Sequence, residues 1–242
     1  MKIITLPHNN KSIVLFEKSG SSLLSNLFKF ICNWKGIEIK NTGNLNMSNL
    51  VLVARNPLSR FVSSFFHSKV DRDTEITDLN ILIPQFESFV DEYEENKESI
   101  TDSHIYSQLW SFEKDGIDIR VNPNCKIYHI EDIHNGFDTI VKDKFIANSN
   151  IDYKTTTPFT SLSDFDNLLP IFEELGVQFD EWDKFHIVTA YYFILRSLDR
   201  VHHRGYAKQF INALKWGNPS LYGRVFNLFY EETYTLKYPI LI

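Results

Sequence analysis

A short loop of small polar residues carries the first side chains in this sequence that could do chemistry. It follows Ser12 to Phe16, SIVLF, an all-apolar run typical of a strand buried on both faces, and it precedes apolar residues at helical spacing. The loop residues are Lys18, Ser19, Gly20, Ser21 and Ser22. A small-residue loop between strand and helix directs several backbone N–H groups at one point, backed by the helix dipole. The loop predicts a phosphate site, although an ordinary polar turn is the alternative that it leaves open by itself.

A second basic segment follows a second buried strand. Leu50 to Ala54, LVLVA, reads as that strand, and Arg55 directly follows it, where open α/β sheets bind ligands. Asn56 suits the N-cap and Pro57 the first position of a helix over Leu58 to Lys69. The residues at i, i+3, i+4 and i+7 of that helix are Arg60, Ser63, Ser64 and His67, which therefore share one face. This face predicts a second anion site, against the alternatives of a surface ion pair for Arg60 and hydrogen bonds to the helix backbone for the serines.

The elements that must position these residues are two β-loop-α units, which predict an α/β fold around a parallel sheet. CKIYHI, Cys125 to Ile130, predicts a third strand. Helices are expected over five further segments: Ile83 to Asn96, Asp102 to Phe112, 135–144, Leu162 to Leu175 with Gly176 as its C-cap, and Trp182 to Asp199. Another is expected over Leu221 to Tyr234, so the last third is largely helical. We expect residues 1–242 to form a single domain, because nothing in the composition forces a division.

Taken together, the two loops resemble the sulfotransferases that use the phosphosulfate donor PAPS, and especially the carbohydrate sulfotransferase branch. That family has a first loop of the form K-x-G-[ST]-[ST] and a later R-x-P-x-x-R-x-x-S segment. The resemblance implies that Lys18, Ser19, Gly20, Ser21 and Ser22 hold the 5′-phosphosulfate. It also implies that Arg55 and Ser63 hold the 3′-phosphate, with Arg60 at the second arginine of the motif. The implied fold is the P-loop-containing nucleotide hydrolase-like fold in its sulfotransferase form, with helices flanking a central parallel sheet.

Three weaker segments are similar to other motifs of the branch. Asp102 to Gln108 resembles D-x-H-x-x-P-Q, with Ser107 where proline is usual, and this resemblance makes His104 the first choice for the base that takes the acceptor proton. His67 and Glu131 are alternative bases, although Glu131, in a YHIED stretch similar to R-Y-E-D-L, suits a loop anchor equally well. Phe229 to Tyr238 is loosely similar to L-Y-x-x-D, but Thr233 replaces the aspartate.

Sulfuryl transfer needs in-line positioning and stabilisation of the charge that builds on the leaving phosphate oxygen. Lys18 suits this role. The sequence has no cluster with metal-ligand spacing, and we expect no metal and no cofactor beyond PAPS. The acceptor is a hydroxyl or amine, by resemblance that of a carbohydrate. Three aromatic residues that could line its pocket, or lie in the core, are Tyr106, Trp110 and Phe112.

Composition narrows the cellular setting and the partners. A net charge of −6 argues against nucleic-acid binding, which needs a basic surface. No apolar stretch is long enough for a signal sequence or a membrane span, and Cys32 and Cys125 lie in apolar segments that favour buried free thiols over a disulfide. We therefore expect a cytoplasmic enzyme of bacterial or viral type.

Two other functions stay open at this point. A nucleotide-dependent small-molecule kinase would use similar loop-helix units, but GxxxxGK[ST] has its lysine at the end of the loop rather than at the start. A non-catalytic protein of the same fold could hold adenosine bisphosphate without turning over a donor, although retention of Lys18 favours chemistry.

Overall fold

Four strands form one mixed sheet in the order β1-β2-β3-β4. The structure is a computed structural model that describes residues 2–16, 21–40, 45–69, 79–97, 105, 107–113, 118–122, 124–131, 169–197 and 204–238. The strands are β1 (Lys2–Leu6), β2 (Lys11–Leu15), β3 (Leu50–Ala54) and β4 (Cys125–His129). β2, β3 and β4 run parallel, and β1 runs antiparallel to β2. The chain is therefore of the α/β class.

The three predicted strands are present, and β3 has the predicted bounds. All five β3 residues are buried, which explains why its sequence is apolar throughout instead of alternating. β1 is the element that the sequence analysis missed, and it makes the sheet mixed rather than purely parallel. The register Leu6↔Lys11 leaves a four-residue turn, in which Asn10 adopts φ +54°, the left-handed conformation that asparagine tolerates.

Helices surround the sheet along the chain. The bounds are α1 (Ser21–Lys35), α2 (Pro57–Ser68), α3 (Leu79–Asn96), α4 (Trp110–Glu113), α5 (Leu169–Glu173), α6 (Glu181–Ser197), α7 (Arg204–Gly217), α8 (Pro219–Leu228) and α9 (Tyr230–Thr235). A short 3₁₀ helix covers Ile119–Val121. The described part of the last third is mainly helical, as predicted, and Gly176 ends α5 in a left-handed conformation with φ +76°.

Several helix predictions need correction. The described part of Asp102 to Phe112 is a turn followed by the short α4, and Ser107 Oγ accepts the N–H groups of Leu109 and Trp110 at the start of that helix. The single helix predicted over Leu221 to Tyr234 is divided at Phe229 into α8 and α9. α7 was not predicted, and the helix predicted over 135–144 lies outside the described residues.

Three apolar clusters hold these elements together. One face of the sheet packs on α1 and α6 through residues such as Leu27, Phe28 and Ile187. The other face packs on the segment around α4 and on the chain after α9. The third cluster is aromatic-rich and joins α2, α3, α7 and α8. None of the described helices is both long and apolar enough to cross a membrane.

Candidate anion-binding site

The candidate site lies at the edge of the sheet where the parallel strands end. The registers Leu15↔Val53 and Val53↔Tyr128 place the carboxyl ends of β2, β3 and β4 side by side. Neighbouring strands lie only about 4.8 Å apart. The two segments that the sequence analysis singled out leave β2 and β3 at this same edge, as the doubly wound arrangement requires.

Only part of the first predicted loop falls within the described residues. Lys18, Ser19 and Gly20 lie outside them. Ser21 and Ser22 are the first two residues of α1, and Ser21 is buried. The backbone N–H groups of a helix's first turn have no partner within the helix, which makes this end of the 15-residue α1 suited to an anion.

Lys2 is a cation at this edge that the sequence analysis missed. It pairs with Leu15, the last residue of β2, because β1 runs antiparallel to it. Its Nζ lies 3.5 Å from Ser22 Oγ and 3.4 Å from Ser25 Oγ, and it donates to both hydroxyls. A positive charge therefore stands beside the start of α1. The signal that could have found it is the Asn9-Asn10 turn, which is typical of a hairpin.

The turn between β3 and α2 has the predicted local form. Asn56 is the N-cap, its Oδ1 accepts the Ser59 N–H at 3.1 Å, and Pro57 occupies the first helical turn. Arg55 is half-buried, and its Nε donates to Ser59 Oγ at 3.2 Å. The guanidinium thus lies along the first turn of α2, where helix dipole and arginine favour the same kind of ligand, an anion.

Side chains from two other segments hold the backbone of this turn. Gln108 Oε1 accepts the Arg55 N–H at 3.0 Å, and Gln108 Nε2 donates to the Arg55 carbonyl at 2.8 Å. Glu131 Oε1 accepts the Asn56 N–H at 2.8 Å, and its Oε2 accepts the Tyr238 hydroxyl at 2.7 Å. Glu131 is therefore the loop anchor that the sequence allowed. Gln108 was quoted only as part of a motif, and its contact with Arg55 was not foreseen.

Arg60 lies deeper than the predicted anion site would suggest. It is 1% exposed, and its Nη2 donates to the Ile105 carbonyl at 3.5 Å. Burial lowers the pKa of its guanidinium, and the negative charge of Glu232 opposes that shift. Burial also raises the pKa of Tyr93 to about 12, with Glu232 adding to the effect. Arg60 thus belongs to a buried polar group with Glu232 and Tyr93.

The remaining members of the predicted α2 face separate by depth. Ser64 is buried, and its Oγ donates to the Arg60 carbonyl at 3.0 Å, which is the helix back-bonding considered as its alternative. Ser63 and His67 are half-buried, like Arg55. The half-buried residues Arg55, Ser59 and Ser63 are therefore the part of α2 that an anion could approach.

The predicted acceptor side is described only in part. His104 and Tyr106 lie outside the described residues. Phe112 is fully buried and packs edge-on against Phe16 at 5.6 Å between ring centres, so it is a core residue, as its alternative reading allowed. Trp110 is half-buried. Within the described ranges, no group of three or more His, Cys, Asp or Glu side chains could hold a metal ion.

Comparison with known proteins yields no match among family models, curated proteins or solved structures. The function is therefore argued from the residues themselves.

Proposed function

We propose that this protein is a PAPS-dependent sulfotransferase that moves the sulfuryl group to a hydroxyl or amine, with a carbohydrate as the acceptor. The observation that carries the proposal is the pairing of β2 with β3 in parallel. It brings two loop-helix units, each with its own cation-bearing segment, to one edge of the sheet. Two anion sites on neighbouring strands suit a donor that carries phosphate at both ends of its ribose.

The reaction needs three contributions from the chain. Residues 18–22 and the start of α1 bind the 5′-phosphosulfate, while Arg55 and Ser63 bind the 3′-phosphate. The acceptor oxygen or nitrogen attacks sulfur, and the bond from sulfur to the bridging phosphate oxygen breaks. Lys18 stabilises the negative charge that the departing adenosine bisphosphate gains, and His104 receives the acceptor's proton. Arg60, being buried, supports α2 from within.

A labelled-donor assay tests the proposal. The protein is incubated with radiolabelled PAPS, with ATP, and with a panel of glycans, phenols and amines, and both nucleotide products are followed. Label transfer is expected in the wild type, and Lys18→Ala is expected to lose it by about 100-fold or more while still binding adenosine bisphosphate. Lys69→Ala is the matched control, because Lys69 is exposed and pairs with Glu92 at 2.7 Å, so its turnover should equal the wild type's.

Each of the other functions predicts a different result. Tight binding of adenosine bisphosphate without turnover on any acceptor would favour the non-catalytic binding protein. ATP consumption dependent on an acceptor would favour a kinase. Equal loss of turnover in Lys18→Ala and Lys69→Ala would remove the special role of Lys18.

A further inference from the structure

We propose that Gln108 is a positioning residue for the 3′-phosphate site, because its side-chain amide, oriented by Glu232, fixes the backbone of Arg55. This inference rests on the proposed function. Gln108 pairs with both the N–H and the carbonyl of Arg55, as a neighbouring strand would. The pairing continues the β3 hydrogen-bond pattern one residue beyond the strand's end, at the residue whose guanidinium is to hold the ligand.

The surroundings of Gln108 select an amide and no other group. Its oxygen faces a donor, the Arg55 N–H, while its nitrogen faces two acceptors, the Arg55 carbonyl and Glu232 Oε1 at 2.7 Å. Glu232 Oε1 also accepts the backbone N–H of Gln108 at 3.0 Å. A carboxylate would lack the donors, and an apolar side chain would lack both kinds of group.

Burial makes this arrangement rigid. Gln108 is 2% exposed and Glu232 3% exposed, so water does not replace a lost hydrogen bond. On the other side of the turn, Glu131 holds the N–H of Asn56. The Arg55–Asn56 backbone is therefore fixed from two sides, and the Arg55 side chain departs from a defined point and direction. A charged group that binds a ligand needs such support to keep its geometry.

Gln108→Glu is a nearly isosteric test of the amide. At about pH 8 the new carboxylate would face Glu232 and the Arg55 carbonyl without a proton to donate. The other charged or titratable groups of this network are Arg55, Arg60 and Tyr93. Burial and the charge of Glu232 raise the pKa of a carboxyl placed here, with Arg60 opposing them. Protonation at lower pH therefore restores one donor and removes the repulsion.

The experiment measures binding of adenosine 3′,5′-bisphosphate and of adenosine 5′-monophosphate by calorimetry, at about pH 8 and about pH 5.5. The two ligands differ only in the 3′-phosphate. At the higher pH, Gln108→Glu is expected to bind the bisphosphate about tenfold more weakly than the wild type, with monophosphate affinity unchanged. The ratio of variant to wild-type dissociation constants should approach one at the lower pH.

Val90→Ala is the control, since it removes buried volume from the aromatic-rich cluster without touching the turn. It should leave discrimination between the two ligands at the wild-type value. If Gln108→Glu does not fold at the higher pH, as judged by near-ultraviolet circular dichroism, Gln108→Met replaces it and should lose discrimination at both pH values.

The outcomes separate the two proposals. A wild type that binds neither ligand overturns the proposed function and this inference with it. A wild type that prefers the bisphosphate, with a Gln108 variant that keeps the same preference at about pH 8, overturns the inference alone. An equal loss for both ligands also overturns it, because Gln108 would then be a general structural residue.

Discussion

Replacing Glu174 should show how much stability one buried carboxylate supplies at the end of the sheet opposite the anion site. Glu174 is 4% exposed and accepts from Lys11 Nζ at 2.5 Å, Lys126 Nζ at 2.7 Å and the Tyr128 hydroxyl at 2.6 Å. Lys11 and Lys126 begin β2 and β4, and Glu174 follows α5 directly. The contacts therefore join two strands to a distant part of the chain.

The magnitude follows from the pKa. Burial alone would raise the pKa of Glu174, but the hydrogen bonds from Lys11, Lys126 and Tyr128 outweigh it and lower the pKa from 4.5 to about 2. At about 1.4 kcal/mol per pKa unit, this corresponds to about 3 kcal/mol of stability. Lys126 is 62% exposed, so water screens part of its attraction, and we expect about 2 kcal/mol.

The sign of the pH dependence follows from the same values. Because the folded protein has the lower pKa, the stabilisation is complete above pH 4.5 and is lost as pH falls toward about 2. Gln in place of Glu174 cannot accept from both lysines, so Glu174→Gln should have a lower free energy of unfolding at neutral pH. The difference from wild type should shrink as the pH falls through that interval.

Urea unfolding of both proteins at several pH values measures this difference. Glu173→Gln is the matched control, since Glu173 is the exposed neighbour and should cost less than about 0.5 kcal/mol. No difference between wild type and Glu174→Gln at neutral pH would refute the reasoning. So would a difference that stays constant down to about pH 2.

Two further predictions concern the anion-site edge and the end of α5. Lys2→Met should weaken adenosine bisphosphate binding by about threefold to tenfold at low salt and by less at high salt, because it removes a charge beside α1. Calorimetry at two salt concentrations checks this, Lys40→Met being the exposed-lysine control, and a loss independent of salt would contradict it. Gly176→Ala should lower the free energy of unfolding by about 1–2 kcal/mol or more, since φ is +76° and a Cβ would meet Asn9 Nδ2 at 3.2 Å. Gly36→Ala shares the positive φ but has open space around it, so its smaller cost in thermal unfolding isolates the contact, and equal costs would show that Asn9 yields freely.

Local chemistry explains the parts of the fold and site that could be predicted. β3, the Asn56 cap and the turn at Gly176 each depend on residues close together in the sequence, so an apolar run, a capping residue or a lone glycine is sufficient to indicate them. β1 was missed because its apolar run is short and its stability comes from pairing with β2 rather than from its own pattern.

The sequence by itself determined the α/β class, two buried parallel strands and the order of two basic segments behind them. Only the tertiary structure decided that Arg60 is buried beside Glu232, that Lys2 stands at the start of α1, and that Gln108 pairs with Arg55. These contacts join residues that are from 20 to 124 positions apart along the chain. A buried polar side chain must find its partner wherever the fold brings one, and no local pattern carries that information.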